Sequence, residues 1–252
     1  MQPRLDDWDR HWTIYAEANQ RNPAQAYRRR LILDLLQSVD RQGRERILDI
    51  GSGTGALSAD LRRRFPAADI VGVELSREGV ERARVAVPSA TFVQRDLLKN
   101  LEVEPRLRAW ATVAVCSEVL EHVDEPERLL RGVVPYLGPG CRLVVTVPGG
   151  PMSAFDRSIG HRRHFSPRTL SQLLRESGFQ VERSQRAGFP FFNLYRLVVI
   201  VRGRRLMSDV GRGSATTGAA MSAFDRLFRF NLDRSPFGRQ IVAVASLPPG
   251  GG

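Results

Sequence analysis

Four features of the chain carry residue types that could act together on a small ligand. The run Ile47-Leu48-Asp49-Ile50-Gly51-Ser52-Gly53-Thr54-Gly55 sets three glycines at alternate positions after an acidic residue. Glycines there let the backbone turn tightly and approach a ligand with no Cβ in the way. Glu74, followed by Leu75, closes an apolar run about twenty residues later, where a carboxylate can accept from both hydroxyls of a ribose. Asp96, followed by Leu97, comes after the next run, where a carboxylate can accept from an adenine amino group. Three of the four histidines, His122, His161 and His164, fall where the mouth of such a cleft is expected. Histidine titrates near neutrality and suits removal of a proton from an oxygen or nitrogen acceptor. A lone glycine triplet indicates only a nucleotide; its company narrows the choice.

These groups need a scaffold, and the chain supplies an alternation of strands and helices. Strands are expected at Arg46–Ile50, Asp69–Glu74, Thr91–Gln94, Thr112–Ser117, Cys141–Val147, Phe179–Arg186 and Ile241–Leu247. Helices are expected at Ala24–Asp40 (broken by Gly43), Ala56–Arg64, Arg77–Val87, Pro126–Leu137 and from the Ser166 cap and Pro167 to about Ser177, with Gly178 as its stop. Gly138-Pro139-Gly140 reads as a turn. The alternation argues for an α/β fold: three layers, Rossmann-like, with helices on both faces of a mostly parallel sheet and ligands at the carboxyl ends of its strands. One domain is expected over 1–252, with an N-terminal helical cap (1–40), a core (46–186 and 240–247) and two insertions on the substrate side, 149–165 and 187–239.

The bulk numbers set limits. The formal net charge is +11, mostly arginine spread from Arg4 to Arg239 with no aromatic-interleaved block. That is either a scattered solvated surface or a surface for an anionic partner, and no stable nucleic-acid complex is expected. Cys116 and Cys141 sit inside apolar runs and read as buried thiols, with no metal site implied. The polar start of the chain shows no secretory signal, and the longest apolar stretch is too short to span a bilayer, so a cytoplasmic protein is expected.

The glycine run, together with Val115-Cys116-Ser117-Glu118-Val119-Leu120-Glu121-His122-Val123, resembles the class I S-adenosylmethionine-dependent methyltransferases, specifically the small-molecule enzymes related to ubiquinone-biosynthesis O-methyltransferases. A nicotinamide dehydrogenase would space its last glycine three residues after the second; here Gly53 and Gly55 are two apart. The resemblance covers about residues 24–186 and the last strand. It implies seven strands with the final one antiparallel, S-adenosylmethionine as cofactor, and transfer to a small organic acceptor, foremost a hydroxyl on a secondary metabolite, quinone, aromatic or sugar. It places Glu74 on the ribose, Asp96 by the adenine, Asp49 toward the methionyl end, and Cys116, Ser117 and Glu118 along the methionyl side. Alternatives are an RNA or protein methyltransferase, a non-methylating enzyme of the same fold, and a cofactor-binding subunit.

Several roles stay double. His122 is a second candidate base after His161, or it packs at the start of the next helix. The loop carrying His161, Arg163 and His164 is a lid or a solvated basic loop. Trp8, Trp12 and Tyr15 either cap the cofactor, with Tyr15 foremost, or pack the first helix. Glu121 reads as a first-turn helix residue favoured by the dipole. Phe189–Val201 is packing on the sheet edge or a dimer face, a wall for a bulky acceptor, or a shallow membrane contact over 189–205 with Arg202, Arg204 and Arg205. Gly211–Gly218 reads as a flexible piece. Monomer and homodimer are both open.

Overall fold

Short apolar runs closed by glycine, proline or a charged residue become seven strands in a computed structural model that describes residues 7–37, 45–99, 102–202 and 215–249. They are β1 (Arg46–Ile50), β2 (Asp69–Glu74), β3 (Thr91–Gln94), β4 (Ala111–Ser117), β5 (Leu137–Pro148), β6 (Gln180–Ala187) and β7 (Gln240–Ser246). Their order in one sheet is β3-β2-β1-β4-β5-β7-β6. Strands β1 to β5 pair in parallel, and β7 lies antiparallel between β5 and β6. The chain leaves β1 toward β2 on one side and later returns to β4 on the other, which opens a crevice at the carboxyl ends of β1 and β4.

Nine helices cover this sheet among the described residues: α1 (Trp8–Arg21), α2 (Pro23–Leu35), α3 (Ala56–Arg64), α4 (Arg77–Ala86), α5 (Pro126–Val133), α6 (Ala154–Ser158), α7 (Pro167–Glu176), α8 (Phe191–Arg202) and α9 (Ala215–Leu227). Both faces of the central strands are buried, as their continuous apolar runs require. Leu48, Ile50, Ala114, Cys116, Leu143 and Val145 pack toward Leu129, Leu130, Leu170 and Leu174 of α5 and α7. Their alternates Ile47, Val113, Val115 and Val144 pack toward Ile32, Leu36, Leu57 and Leu61. Each such side chain, once buried, contributes roughly 1.5–3 kcal/mol.

Within the expected N-terminal helical cap the polar start is a full helix, α1, capped by Asp7, whose carboxylate accepts from Arg10 N–H at 3.0 Å. Other details differ from the sequence reading. Gly138-Pro139-Gly140 is not a turn between elements. It is part of β5, because Leu137 already pairs with Ala111 and a register shift absorbs the bend. The helix after β4 starts at Pro126, so Glu121 lies before it in a tight turn, Leu120–His122, not in a helical first turn. The second insertion folds as α8 and α9. Asn231 fixes the start of α8 by accepting from Phe191 N–H and Phe192 N–H at 2.9 and 3.1 Å. Asp40, Gly43, Arg204, Arg205 and Gly211–Ser214 lie outside the described residues. No helix among the described residues is long and apolar enough to cross a membrane.

The return from α9 into β7 depends on one close approach. A Cβ on Gly238 would stand 2.2 Å from the Ala187 carbonyl oxygen and 2.5 Å from its carbon, and backbone cannot step aside there. We expect Gly238→Ala to lower stability by about 3 kcal/mol, as overpacking does. Urea denaturation measures this; a midpoint equal to the parent's contradicts it.

Candidate active site

The loop after β1 takes its shape from positive φ angles at Gly51 (+68°) and Gly53 (+54°), where other residues are strained. It is clamped to β2: Gly51 N–H and Ser52 N–H donate to the Val73 carbonyl at 2.8 and 3.2 Å. Glu74 completes the clamp. One carboxylate oxygen accepts from Gly53 N–H at 2.8 Å and the other from Ser76 N–H at 2.9 Å. Burial raises the Glu74 pKa, and these backbone donors oppose the rise. The Leu75 backbone and the Trp12 side chain oppose it as well. Asp49, at the base of the loop, is fully enclosed. Ser58 Oγ donates to it at 2.6 Å, yet burial pushes its pKa up to about 6. It is a carboxylate short of a cation.

Helix α1 lies across this loop. The Trp12 ring would be 2.7 Å from a Cβ on Gly53 and 3.1 Å from one on Gly79. Asp9 latches the helix down: Ser76 Oγ donates to its carboxylate at 2.6 Å, and Glu78 N–H at 3.1 Å. Trp8 and Trp12 thereby split the crevice into two chambers and line both. The first chamber, of about 560 Å³, is lined by Glu74, Leu75, Asp96 and Leu97. The second, of about 260 Å³, is lined by Asp49, Ser117, Glu118 and Glu121 from the sheet side, with α1, α2, α6 and α8 around it.

The second chamber is dense in charge. Glu118 adopts φ +57°, an uncommon conformation for a residue with a side chain, and such strain gathers at functional sites. Its carboxylate accepts from Gln240 Nε2 at 2.8 Å and pairs with Arg28 Nε at 3.0 Å. Asp156, buried at the start of α6, accepts from Ser153 N–H and Oγ and holds Arg196 Nη2 at 3.1 Å on both oxygens. Glu121 is fully buried with neither carboxyl oxygen hydrogen-bonded. Burial first, then the charge of Glu118, drives its pKa well up.

The histidines meet in one chain of rings. His122 and His161 stand edge to face at 4.7 Å between centroids, and His161 and His164 at 5.3 Å. His164 Nδ1 faces the Gly150 carbonyl at 3.0 Å, so it must carry the proton and donate. In neutral His164, Nε2 is then the acceptor, and it lies 3.1 Å from His161 Nδ1. His161 Nδ1 therefore donates, and His161 Nε2 is left as a bare lone pair. Burial first, then His122, His164, Arg196 and Arg28, push the His161 pKa down to about 2. Burial likewise lowers His122, to about 4, despite the Gly160 carbonyl on its ring. Ligand-type atoms of Glu121, His122 and His161 come within 4.8 Å of one another, as do those of Asp156, His161 and His164. In the second group Asp156 is already taken up by Ser153 and Arg196.

Most of the expected residues are thus brought together. Tyr15, Asp49, Gly51, Ser52, Gly53, Ser117, Glu118, His122 and His161 line the second chamber. His164 sits one ring behind His161. Asp96 accepts from Leu98 N–H at 2.9 Å and lies near Lys99 at 3.3 Å, beside the first chamber. Two expectations are corrected. Cys116 points into the core, fully buried, and lines neither chamber, because side chains alternate along β4. Gly55 caps α3 and permits its approach to Ala83, at 3.0 Å from an added Cβ; it does not face the cleft. Phe192, Tyr195, Val199 and Ile200 give α8 the role of a chamber wall, while Leu194, Leu197 and Val201 stay exposed on its far side. Arg28, Asp156, Arg196 and Gln240 escaped the sequence reading. Each looks like an ordinary surface residue until the fold buries it.

Comparison with known proteins follows this geometry. Residues 24–184 match the family model described as a methyltransferase domain. Trans-aconitate 2-methyltransferase of Escherichia coli O1:K1 / APEC is 27% identical over 172 residues, 67% of this chain and 63% of that protein. The chain therefore spans less than two thirds of that relative's length. The ubiquinone biosynthesis O-methyltransferase of Aeromonas salmonicida (strain A449) is 26% identical over 170 residues, 61% of this chain and 71% of that one. Among solved structures, a putative methyltransferase from Bacillus halodurans aligns with TM-score 0.55 at 18% identity over 86% of this chain and 98% of that chain. Phosphoethanolamine N-methyltransferase 2 of Haemonchus contortus, bound to S-adenosyl-L-methionine, aligns with TM-score 0.58 at 17% identity over 87% of this chain and 52% of that chain. These likenesses establish the fold.

Proposed function

The chain belongs to the methyltransferase-domain family, and from that premise we propose that it moves a methyl group from S-adenosylmethionine to an oxygen of a small organic acceptor, in the first instance a hydroxyl. The residues fit this cofactor. Glu74 presents a carboxylate to the first chamber where a ribose can meet it, Ser52 Oγ is buried with no partner, and Asp49 is an enclosed carboxylate lacking a cation, which a methionyl ammonium supplies. When bound, the cofactor supplies a methyl group on a sulfonium, with its leaving group built in. The chain's own work is then to align the acceptor, keep water away and take up a proton.

The observation that carries the reading is the bare Nε2 of His161, at the wall of the second chamber. The Gly150 carbonyl fixes the tautomer of His164, and His164 fixes that of His161. An acceptor hydroxyl placed against Nε2 finds a hydrogen-bond acceptor with its ring already oriented. The ring takes the proton only where the bound ligands lift its depressed basicity, which burial, and with it Arg196 and Arg28, holds down in the free chain. The small volume of the second chamber, about 260 Å³, favours a small molecule over a macromolecular acceptor.

Incubation with S-adenosylmethionine labelled on its methyl carbon, against a set of small hydroxylated acceptors, tests this. We expect labelled product and S-adenosylhomocysteine in equal amounts; binding of S-adenosylhomocysteine without turnover on any acceptor sinks the catalytic reading. Asp49 adds a pH signature. Its pKa in the fold, about 6, exceeds its ordinary 3.8. The free protein therefore loses stability as pH rises through that window, while a bound ammonium needs the ionised form. S-adenosylhomocysteine affinity should fall about tenfold per pH unit below about 6. Calorimetry measures it, and Asp49→Asn should flatten this dependence; an equal slope in the variant removes Asp49 from the cofactor.

A further inference from the structure

Two arginines line the second chamber. Arg28 comes from α2 and Arg196 from α8, and both are about nine-tenths buried. Both line the same chamber as His161. Each is tied to a carboxylate by a single nitrogen: Arg28 through Nε to Glu118, Arg196 through Nη2 to Asp156. Neither makes the two-pronged pairing that a guanidinium prefers with a carboxylate. Arg28 shares the same Nε with Gln240 at 2.9 Å and lays its head over the Phe192 ring at 5.4 Å. Arg196 Nε is buried with no hydrogen-bond partner. A buried guanidinium with unused donors is costly, because water no longer solvates them. Asp156 divides its oxygens between Ser153 and Arg196: Oδ2 accepts from Ser153 N–H and Oγ as well as from Arg196 Nη2, and Oδ1 accepts from the same Nη2. Of these two guanidinium groups, only Arg28 Nε and Arg196 Nη2 are hydrogen-bonded among the described residues. The unpartnered carboxyl in the same chamber, Glu121, has its pKa driven well up by burial, which favours its neutral form and leaves the remaining guanidinium donors without an internal partner.

Resting on the methyltransferase reading, we propose that the acceptor is an organic acid whose carboxylate docks between Arg28 and Arg196, within a few atoms of the oxygen that is methylated. A planar anion with two oxygens matches the fork geometry of guanidinium. The remaining wall, Phe155, Phe192, Val199 and Ile200, suits an apolar body behind the carboxylate. The two existing ion pairs serve as positioning contacts that aim each guanidinium into the space.

The test uses paired probes on the full chain saturated with S-adenosylhomocysteine: benzoate, cinnamate and hexanoate, each against its uncharged methyl ester. Trp8 and Trp12 line the chamber, so their fluorescence reports binding. We expect at least one acid to bind about tenfold or more tightly than its ester, the size of one charge-assisted hydrogen bond. Arg196→Gln should abolish that preference and leave S-adenosylhomocysteine affinity unchanged. Arg196→Lys, which keeps a cation for Asp156 but lacks the fork, should reduce the preference with the fold intact by its melting temperature. Equal binding of acids and esters, no binding of any acid, or a preference undiminished in Arg196→Lys overturns the proposal. Loss of S-adenosylhomocysteine binding by the parent chain would instead sink the methyltransferase reading; intact cofactor binding with no acid preference sinks only this inference.

Discussion

Glu74→Gln is expected to weaken binding of S-adenosylhomocysteine by about 100-fold, the equivalent of roughly two charge-assisted hydrogen bonds. The reason lies in what its two oxygens hold. One fixes Gly53 N–H and the other Ser76 N–H, so the carboxylate shapes the loop and the start of α4 at once. Glutamine keeps the volume but turns one oxygen into a donor, which then opposes a backbone N–H in a site with little water. The same change removes an acceptor for one ribose hydroxyl. Calorimetric titration reads the affinity, and a melting curve reports the share lost to the loop itself. Val85→Ala, on the exposed face of α4, is the control and should leave both untouched. An affinity within threefold of the parent contradicts the role of Glu74.

His161→Ala is expected to lower kcat by about 100- to 10,000-fold, the usual worth of a positioned base, with S-adenosylhomocysteine affinity within twofold. The split matters, because the ring belongs to the segment between β5 and α7, not to the glycine loop, and its hydrogen bond goes to His164. His164→Gln should give a smaller loss with the same split, since its only duty here is to hold the tautomer of His161. If the acceptor is already ionised, as a carboxylate oxygen would be, no proton has to leave, and kcat in His161→Ala stays near the parent's. That outcome refutes the base while leaving methyl transfer standing, and the product, an ester in place of an ether, identifies the difference.

What could be read from the sequence follows the range over which each signal acts. The ends of β1, β2 and β3 agree with expectation, because apolar runs and their glycine or acidic stops are local. The Ser166 cap agrees for the same reason: its side chain and Thr169 satisfy each other's backbone N–H. Asp49, Glu74 and Asp96 were legible because each is tied to a strand end. The wall opposite was not. Arg28 reaches Glu118 and Gln240, and Arg196 reaches Asp156, through contacts that join residues 40 to 212 positions apart. No periodicity marks them. Glu121 was misread for a related reason: with Pro126 close by, an acidic residue looks like the first turn of a helix, and only the turn at Leu120–His122 swings it inward.

One small residue ties these parts into a lever. Asn22 is the only residue between α1 and α2. Its side-chain oxygen caps α2 by accepting from Ala24 N–H at 2.9 Å, and the same atom accepts from the Tyr195 hydroxyl of α8 at 2.9 Å. The fulcrum of the lid is thus bolted to the acceptor wall. A molecule that shifted Tyr195 would load the junction of α1 and α2, and Asp9 at the other end of α1 grips the start of α4, beside the first chamber. Occupancy at one end of the cleft is in this way mechanically legible at the other, through a helix that touches both and a pivot made of one amide.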